Sequence, residues 1–285
     1  MKNIRIIPRL DIKGPNLVKG IHLEGLRVMG KPSNFANYYY EQGADELIYQ
    51  DTVASLYERN SLNDLITETS KDIFIPLTVG GGIRSLNDIY KVLRSGADKV
   101  AINTAAIKNP NIIDDSSKEF GSSTIVIAIE TIKQEDEKYL AFTDNGREFT
   151  GINVLEWARE VENRGAGEIL LTSIDHEGTG NGFDLNLLSQ ISEIVKIPII
   201  IHGGASNSKH ISDALLSSKV DAFALASMLH YEALKNKKFE NNFSNQEGNT
   251  NFIDNQNSFS VFGKESLAEL KNNLQYFDID IRTIP

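Results

Sequence analysis

The chain contains no cysteine, which excludes disulfides, cysteine-ligated zinc, iron–sulfur clusters and a cysteine nucleophile. No apolar run approaches the ~18 residues that a membrane span needs. Positive charge is in short supply: 29 Lys and Arg stand against 39 Asp and Glu, a net charge of −10 at pH 7. A general nucleic-acid or membrane-surface binder needs the opposite balance, although local cationic pockets stay open. Met1-Lys2-Asn3-Ile4-Arg5 lacks the apolar stretch of a secretion signal, so a cytoplasmic protein is expected. What remains, 40 % hydrophobic and 24 % charged residues over 285 positions, is an ordinary globular balance that suits one α/β barrel as well as two domains.

Short β-branched runs alternate with longer amphipathic stretches, the pattern of a parallel sheet with crossover helices. Eight strands are expected: Ile4–Asp11, Glu46–Asp51, Ile75–Val79, Lys99–Asn103, Ile125–Glu130, Glu168–Ser173, Ile199–His202 and Ala222–Ala226. Ser33 is placed to cap a helix over Asn34–Gln42 and Ser85 one over Leu86–Ser95, while Asn153–Arg164 keeps helical spacing. Eight regular βα units read as a single (β/α)8 barrel over residues 1–285; an open doubly wound sheet is the competitor, and the lack of a central break argues against it.

The chain also echoes itself. Asp45-Glu46-Leu47-Ile48 matches Gly167-Glu168-Ile169-Leu170, Val79-Gly80-Gly81-Gly82 matches His202-Gly203-Gly204-Ala205, and Ala97-Asp98-Lys99 matches Val220-Asp221-Ala222. With Asp11 and Glu130 at the ends of the first and fifth strands, the offsets are 119 to 123 residues. A duplicated half-barrel explains this. Two segments interrupt the repeat. Residues 131–151 suggest a hairpin around Asp144-Asn145-Gly146. Residues 236–262 form an Asn-rich insertion after the eighth strand, with eight asparagines in 236–257, read as a surface loop or a lid.

In such barrels functional groups gather at the carboxyl ends of strands. Gly81-Gly82 with Asn103-Thr104, and Gly203-Gly204 with Ala226-Ser227, make two anion cradles in which backbone N–H groups approach closely. Two cradles suit a long substrate with a phosphate at each end. Asp11 and Glu130 face each other across the mouth, where two carboxyls in different environments divide acid and base work. Thr172 to Thr179, including Glu177 and Gly178, lies near the second cradle; its Asp175, His176 and Glu177 fit no firm metal-ligand spacing, so no metal and no cofactor are expected. At the opposite end Arg5, Glu46, Lys99 and Glu168 start their strands and, if they point inward, form a two-plus, two-minus ring at the barrel floor. The ring is either a salt-bridge plug or a gate for something small.

These residues together resemble the cyclase subunit of imidazole glycerol phosphate synthase, in histidine biosynthesis. The resemblance runs from Arg5-Ile6-Ile7-Pro8 to about Tyr231 and resumes in the last helix; it is most specific at Leu17-Val18-Lys19-Gly20, Gly80-Gly81-Gly82-Ile83-Arg84, Ile102-Asn103-Thr104-Ala105 and Thr172-Ser173-Ile174-Asp175. It implies a glutaminase partner docked as a heterodimer on the N-terminal face near Asp98. Ammonia then passes the floor ring and rises through the barrel to attack a ribulosyl aminoimidazole-carboxamide bisphosphate, with Asp11 and Glu130 in the acid–base positions and Lys19 reaching over the mouth.

This chain departs from the family's pattern at the mouth. Glu130 and Glu177 replace aspartates, Arg9 replaces a small residue, Gln50 an apolar one, and His202 a small one. The extra methylene at Glu130 moves its carboxyl by more than ~1 Å, enough to reduce rate. Strand alternation aims Arg9 into the barrel just below Asp11, where a pair with Gln50 is expected. Such changes also suit a paralogue that delivers ammonia for amidation of a surface sugar, or a phosphate-binding barrel without catalysis.

Overall fold

The computed structural model describes residues 3–54, 62–236, 261–262, 264–277 and 279–282. Twelve strands, ten α-helices and one short 3-10 helix, Ser122–Thr124, are described. The strands are β1 Arg5–Lys13, β2 Asn16–Ile21, β3 Glu24–Gly30, β4 Leu47–Asp51, β5 Leu77–Gly80, β6 Lys99–Ile102, β7 Ile125–Lys133, β8 Tyr139–Thr143, β9 Glu148–Asn153, β10 Glu168–Ser173, β11 Ile199–His202 and β12 Ala222–Leu225. The helices are α1 Pro32–Glu41, α2 Asn63–Asp72, α3 Leu86–Arg94, α4 Thr104–Lys108, α5 Asn111–Phe120, α6 Val154–Asn163, α7 Leu185–Ile194, α8 Ser208–Ser217, α9 Ser227–Asn236 and α10 Leu267–Gln275.

Eight strands, β1, β4, β5, β6, β7, β10, β11 and β12, pair in parallel around a closed ring. Closure is made by β7 and β10, registered from Glu168 against Val126 to Ser173 against Thr131. The architecture is therefore the (β/α)8 barrel, and the open sheet is excluded. The strands are apolar on both faces because helices cover the outside and the barrel fills its own inside; Ile199-Ile200-Ile201 of β11 is buried throughout. Among the described residues no helix is long and apolar enough to cross a membrane.

Two hairpins are added at the mouth. β8 and β9 pair antiparallel beyond β7 and turn through Asp144, Asn145 and Gly146, all at positive φ; this is the hairpin expected in 131–151. The other, β2 with β3, lies in the loop after β1 and was not expected. Its turn uses His22 and Leu23 at φ 54° and 62°, residue types that seldom adopt this conformation and so carry no turn signature.

Helix starts follow local chemistry. Ser85 accepts the Asp88 N–H at the head of α3, and Asn153 accepts from Leu155 and Glu156 at the head of α6. Ser33 is no cap: α1 begins a residue earlier, at Pro32, with Lys31 before it and no side-chain cap, because proline's fixed φ suits the first turn. The Asn-rich insertion lies outside the described residues except for Asn236, Val261 and Phe262, the last stacked on Tyr231 with ring centroids 5.4 Å apart. After it, α10 opens with a Ser266–Glu269 capping box.

The half-barrel repeat has a physical signature at the strand starts. Asp45, Asp98 and Asp221 each accept a strand N–H, from Ile6, Leu77 and Ile199, at 2.8 to 2.9 Å, and each returns its own N–H to the same residue's carbonyl. Asp45 also holds α10: Lys271 Nζ donates to Asp45 Oδ1 at 2.8 Å and to the Gly43 carbonyl at 2.6 Å, with both side chains buried. Breaking a buried pair strands the remaining charge. Lys271→Met should lower unfolding free energy by about 3 kcal/mol, read from the midpoint of urea unfolding; an unchanged midpoint would show that the pair does not anchor the last helix.

Candidate functional site

The inward-pointing side chains form three tiers. At the floor, Arg5 Nη1 donates to Glu46 at 2.7 Å and Glu168 at 3.0 Å. Lys99 Nζ lies 3.2 Å from Glu46 and 3.3 Å from Glu168. The two-plus, two-minus ring is thus closed, as alternation requires of charges turned into a barrel. Above it Ile7, Ile48, Ala101, Val126, Ala128, Leu170, Ile200, Ala222 and Ala224 form one buried apolar cluster. The top tier is polar again: Arg9, Gln50, Thr172 and His202, with Asp11, Glu130 and Asn103 at the rim.

Glu130 ends the barrel segment of β7, opposite β1 in the ring. Its Oε2 accepts the Gly146 N–H at 2.9 Å, so the β8–β9 turn places this carboxyl. Burial pushes its pKa up to about 7 from 4.5; Arg9 and the Gly146 N–H pull it down, and Asp11 pushes it further up. It lines a cavity of about 330 Å³ with Gln50, Asp51, Gly81, Gly82, Asn103, Thr104, Lys108, Asp144 and Asn145. Here lies the first cradle. Gly81 has φ +97°, and a Cβ there would collide with the Asp51 carbonyl, so only glycine lets the backbone turn toward the cavity. Asn103 Nδ2 donates to the Phe142 carbonyl at 3.1 Å, while its Oδ1 is buried without a partner. Asp51, Lys108, Asp144 and Asn145 were not singled out from sequence; the Asp-Asn-Gly turn was their only signal.

The second cradle differs. Gly203 and Gly204 have φ +107° and +103°, and together with Ala226, Ser227, Glu177, Gly178 and His202 they line a cavity of only about 20 Å³, room for about one water. The β10–α7 loop closes it: Gly182 N donates to the Gly204 carbonyl at 2.8 Å. His176 is half-buried, with Nδ1 2.7 Å from the Gly182 carbonyl.

Three side chains, Asp11, Arg9 and Lys19, take partners that the sequence did not name. Asp11 does not line either mouth cavity; its Oδ1 accepts Arg9 Nε at 2.9 Å, both groups buried. The Arg9–Gln50 pair is not formed among the described residues. Arg9 Nη1 instead donates to His202 Nδ1 at 3.1 Å and Thr172 Oγ1 at 3.3 Å, because two acceptors across the barrel satisfy a guanidinium better than one amide. Arginine has no acceptor, so His202 Nδ1 accepts and the ring is neutral with its proton on Nε2. Burial, then Arg9 and Lys19, hold the His202 pKa well below the usual value, in agreement. Finally, Lys19 is fully buried in an ion pair with Glu177, which lines the second-cradle cavity, and donates to the Gly20 carbonyl at 2.9 Å. Glu177 Oε2 also accepts the Leu23 N–H at 3.0 Å, so the pair clamps the β2–β3 hairpin to the β10–α7 loop.

Asp98 lies exposed at the floor end, beside a groove of about 400 Å³ that it lines with Phe74, Ile75 and Pro76; Phe74 is 78 % exposed. Among the described residues no group of three or more His, Asp or Glu side chains is placed to hold a metal ion.

The chain is similar to known proteins over most of its length. The family described as "Histidine biosynthesis protein" matches residues 5–235. "Imidazole glycerol phosphate synthase subunit HisF" of Legionella pneumophila is 60 % identical over 204 residues, covering 72 % of this chain and 96 % of the relative. The subunit of the same name from Alkaliphilus metalliredigens is 45 % identical, over 80 % of this chain and 90 % of its own length. That from Trichormus variabilis is also 45 % identical, over 85 % and 95 %. The family match over residues 5–235 takes in every barrel strand: the chain belongs to the histidine biosynthesis protein family.

Proposed function

We propose that this chain is the synthase, or cyclase, subunit of an imidazole glycerol phosphate synthase, and that its chemistry takes place at the barrel mouth. The observation that carries the reading is the Glu130 carboxyl, buried in the same cavity as the Gly81-Gly82 cradle and across the barrel from Asp11. One phosphate of a ribulosyl aminoimidazole-carboxamide bisphosphate binds at Gly81, Gly82, Asn103 and Thr104. The other binds at Gly203, Gly204, Ala226 and Ser227 once the 174–182 loop, with Glu177 and Gly178, draws back from Gly204. Thr172 lies between the two.

Ammonia comes from a glutaminase subunit that docks on the floor, against Asp98 and the Phe74 groove, and forms a heterodimer. It enters past Arg5, Glu46, Lys99 and Glu168. The apolar tier above favours neutral ammonia over ammonium, because an unpaired charge there would lose its hydration without compensation. At the mouth, ammonia adds to the substrate's carbonyl carbon, and one acid must donate a proton to the departing oxygen while a base takes one from nitrogen. Glu130, whose proton is held to about pH 7, supplies the acid; Asp11, paired with Arg9, is the carboxylate that accepts. Ring closure and cleavage give imidazole glycerol phosphate and aminoimidazole-carboxamide ribotide. On this reading the protein acts in histidine biosynthesis, in the cytoplasm. Ammonia delivery for sugar amidation is not the favoured reading, since the relatives at 45 to 60 % identity bear the synthase-subunit name.

Turnover of the bisphosphate with an ammonium salt, without any glutaminase, tests the reading directly. Imidazole glycerol phosphate should form; a folded protein that forms none would overturn it. Glu130→Gln should lower kcat at least about 100-fold, the scale of a lost general acid, and leave phosphate binding in place.

The same substitution has a second readout. With its pKa raised from 4.5 to about 7, Glu130 keeps a proton in the folded chain that the unfolded chain has released. Stability therefore falls as pH rises through that interval. Glu130→Gln should then be more stable than wild type at pH 8, by on the order of 3 kcal/mol, and about equal at pH 4. Urea unfolding at the two pH values decides; a difference that does not change with pH would show that Glu130 titrates normally.

A further inference from the structure

Arg9 lies where the apolar tier meets the mouth. It starts on β1, and its guanidinium ends on Thr172 of β10, three strands away in a ring of eight. A side chain that reaches so far crosses the bore instead of lining it. Both ends of the span are held: Nε at 2.9 Å from Asp11 Oδ1, Nη1 at 3.1 Å from His202 Nδ1 and 3.3 Å from Thr172 Oγ1. The residue is 1 % exposed. Nη2 is buried and has no hydrogen-bond partner, so one donor of the crossing group is free inside the barrel. The apolar tier beside it includes Ala101, Ala128, Ala222 and Ala224, whose methyl groups fill little of the bore, so the long Arg9 side chain is the obstacle there.

We propose that Arg9 is a crossbar narrowing the upper end of the bore, and that ammonia rising from the floor reaches Glu130 more readily when the guanidinium leaves Thr172 and His202. The proposal rests on the reading of the barrel as an ammonia-using synthase. The chemistry of the crossbar suits its place. A guanidinium has donors and no acceptor, so the free Nη2 offers a hydrogen bond to the lone pair of ammonia and nothing to ammonium. It is also a far weaker acid than ammonium, so it detains ammonia without protonating it. Its hold on Asp11 links the bar to the reacting end: a substrate that engages Asp11 competes with Arg9 Nε and loosens the span.

The test uses the complex with its glutaminase subunit. Product formed with glutamine is compared with product formed from saturating ammonium salt, in wild type, Arg9→Ala and Arg9→Lys. Ammonia from the medium enters by the mouth and does not pass Arg9. Loss of Asp11's partner therefore lowers both rates alike, whereas removal of the bar raises the glutamine-to-ammonium ratio. Arg9→Lys keeps a cation for Asp11 and protects folding, but its single nitrogen does not span to both Thr172 and His202. The ratio should rise about fivefold in Arg9→Ala, equivalent to about 1 kcal/mol of barrier, and also rise in Arg9→Lys. An unchanged or lower ratio in both variants, with wild-type ammonium-dependent turnover intact, would remove this inference alone. Absence of that wild-type turnover would remove the functional reading and this inference together.

Discussion

A charged side chain turned into a closed barrel has little access to water, so it must find a partner. That constraint shapes the whole interior. It makes Arg5, Lys99, Glu46 and Glu168 a closed ring at the floor, and it sends Arg9 across the bore to Asp11, Thr172 and His202. It also forces Lys19 and Glu177 together beneath the added hairpin. Where no full partner is available, as at Glu130, the group holds its proton instead. Pairing and proton retention are two answers to the same desolvation penalty, and this barrel uses both at its mouth.

The duplication supplies symmetry, and the loops break it. The strand-start aspartates Asp98 and Asp221 perform the same task in each half, and both glycine pairs turn through positive φ. Yet the cavity at one cradle is about 330 Å³ and at the other about 20 Å³. The first is walled by the β8–β9 turn, which stands back from Gly81. The second is covered by the β10–α7 loop, hydrogen-bonded to Gly204. The same ancestral turn can thus be open or closed according to the segment laid over it, which leaves one glycine turn beside an open cavity and the other beneath a loop.

Much of this was legible along the chain because it rests on short-range rules. The eight strands follow from β-branched runs, the α3 and α6 starts from Ser85 and Asn153, and the inward direction of Arg9 from period-two alternation. Less was legible where two distant segments meet. The β2–β3 hairpin turns on His22 and Leu23, which nothing local marks as turn residues. Pro32 displaced Ser33 as the start of α1. Lys19 found Glu177, 158 positions away, and Arg9 passed over Gln50 on the neighbouring strand for acceptors two and three strands distant.

The amino-acid order by itself determined the barrel, its two-fold repeat, the tier to which each inward side chain belongs, and the end of the barrel at which the acids and glycine turns collect. These depend on period, turn residues and offset, all properties of neighbouring positions. Only the tertiary structure decided which partner each buried charge takes, which acid reaches the open cavity, and which cradle is shut. Those outcomes depend on side-chain reach across a closed ring and on loops packed from other units, and a linear pattern holds no measure of either.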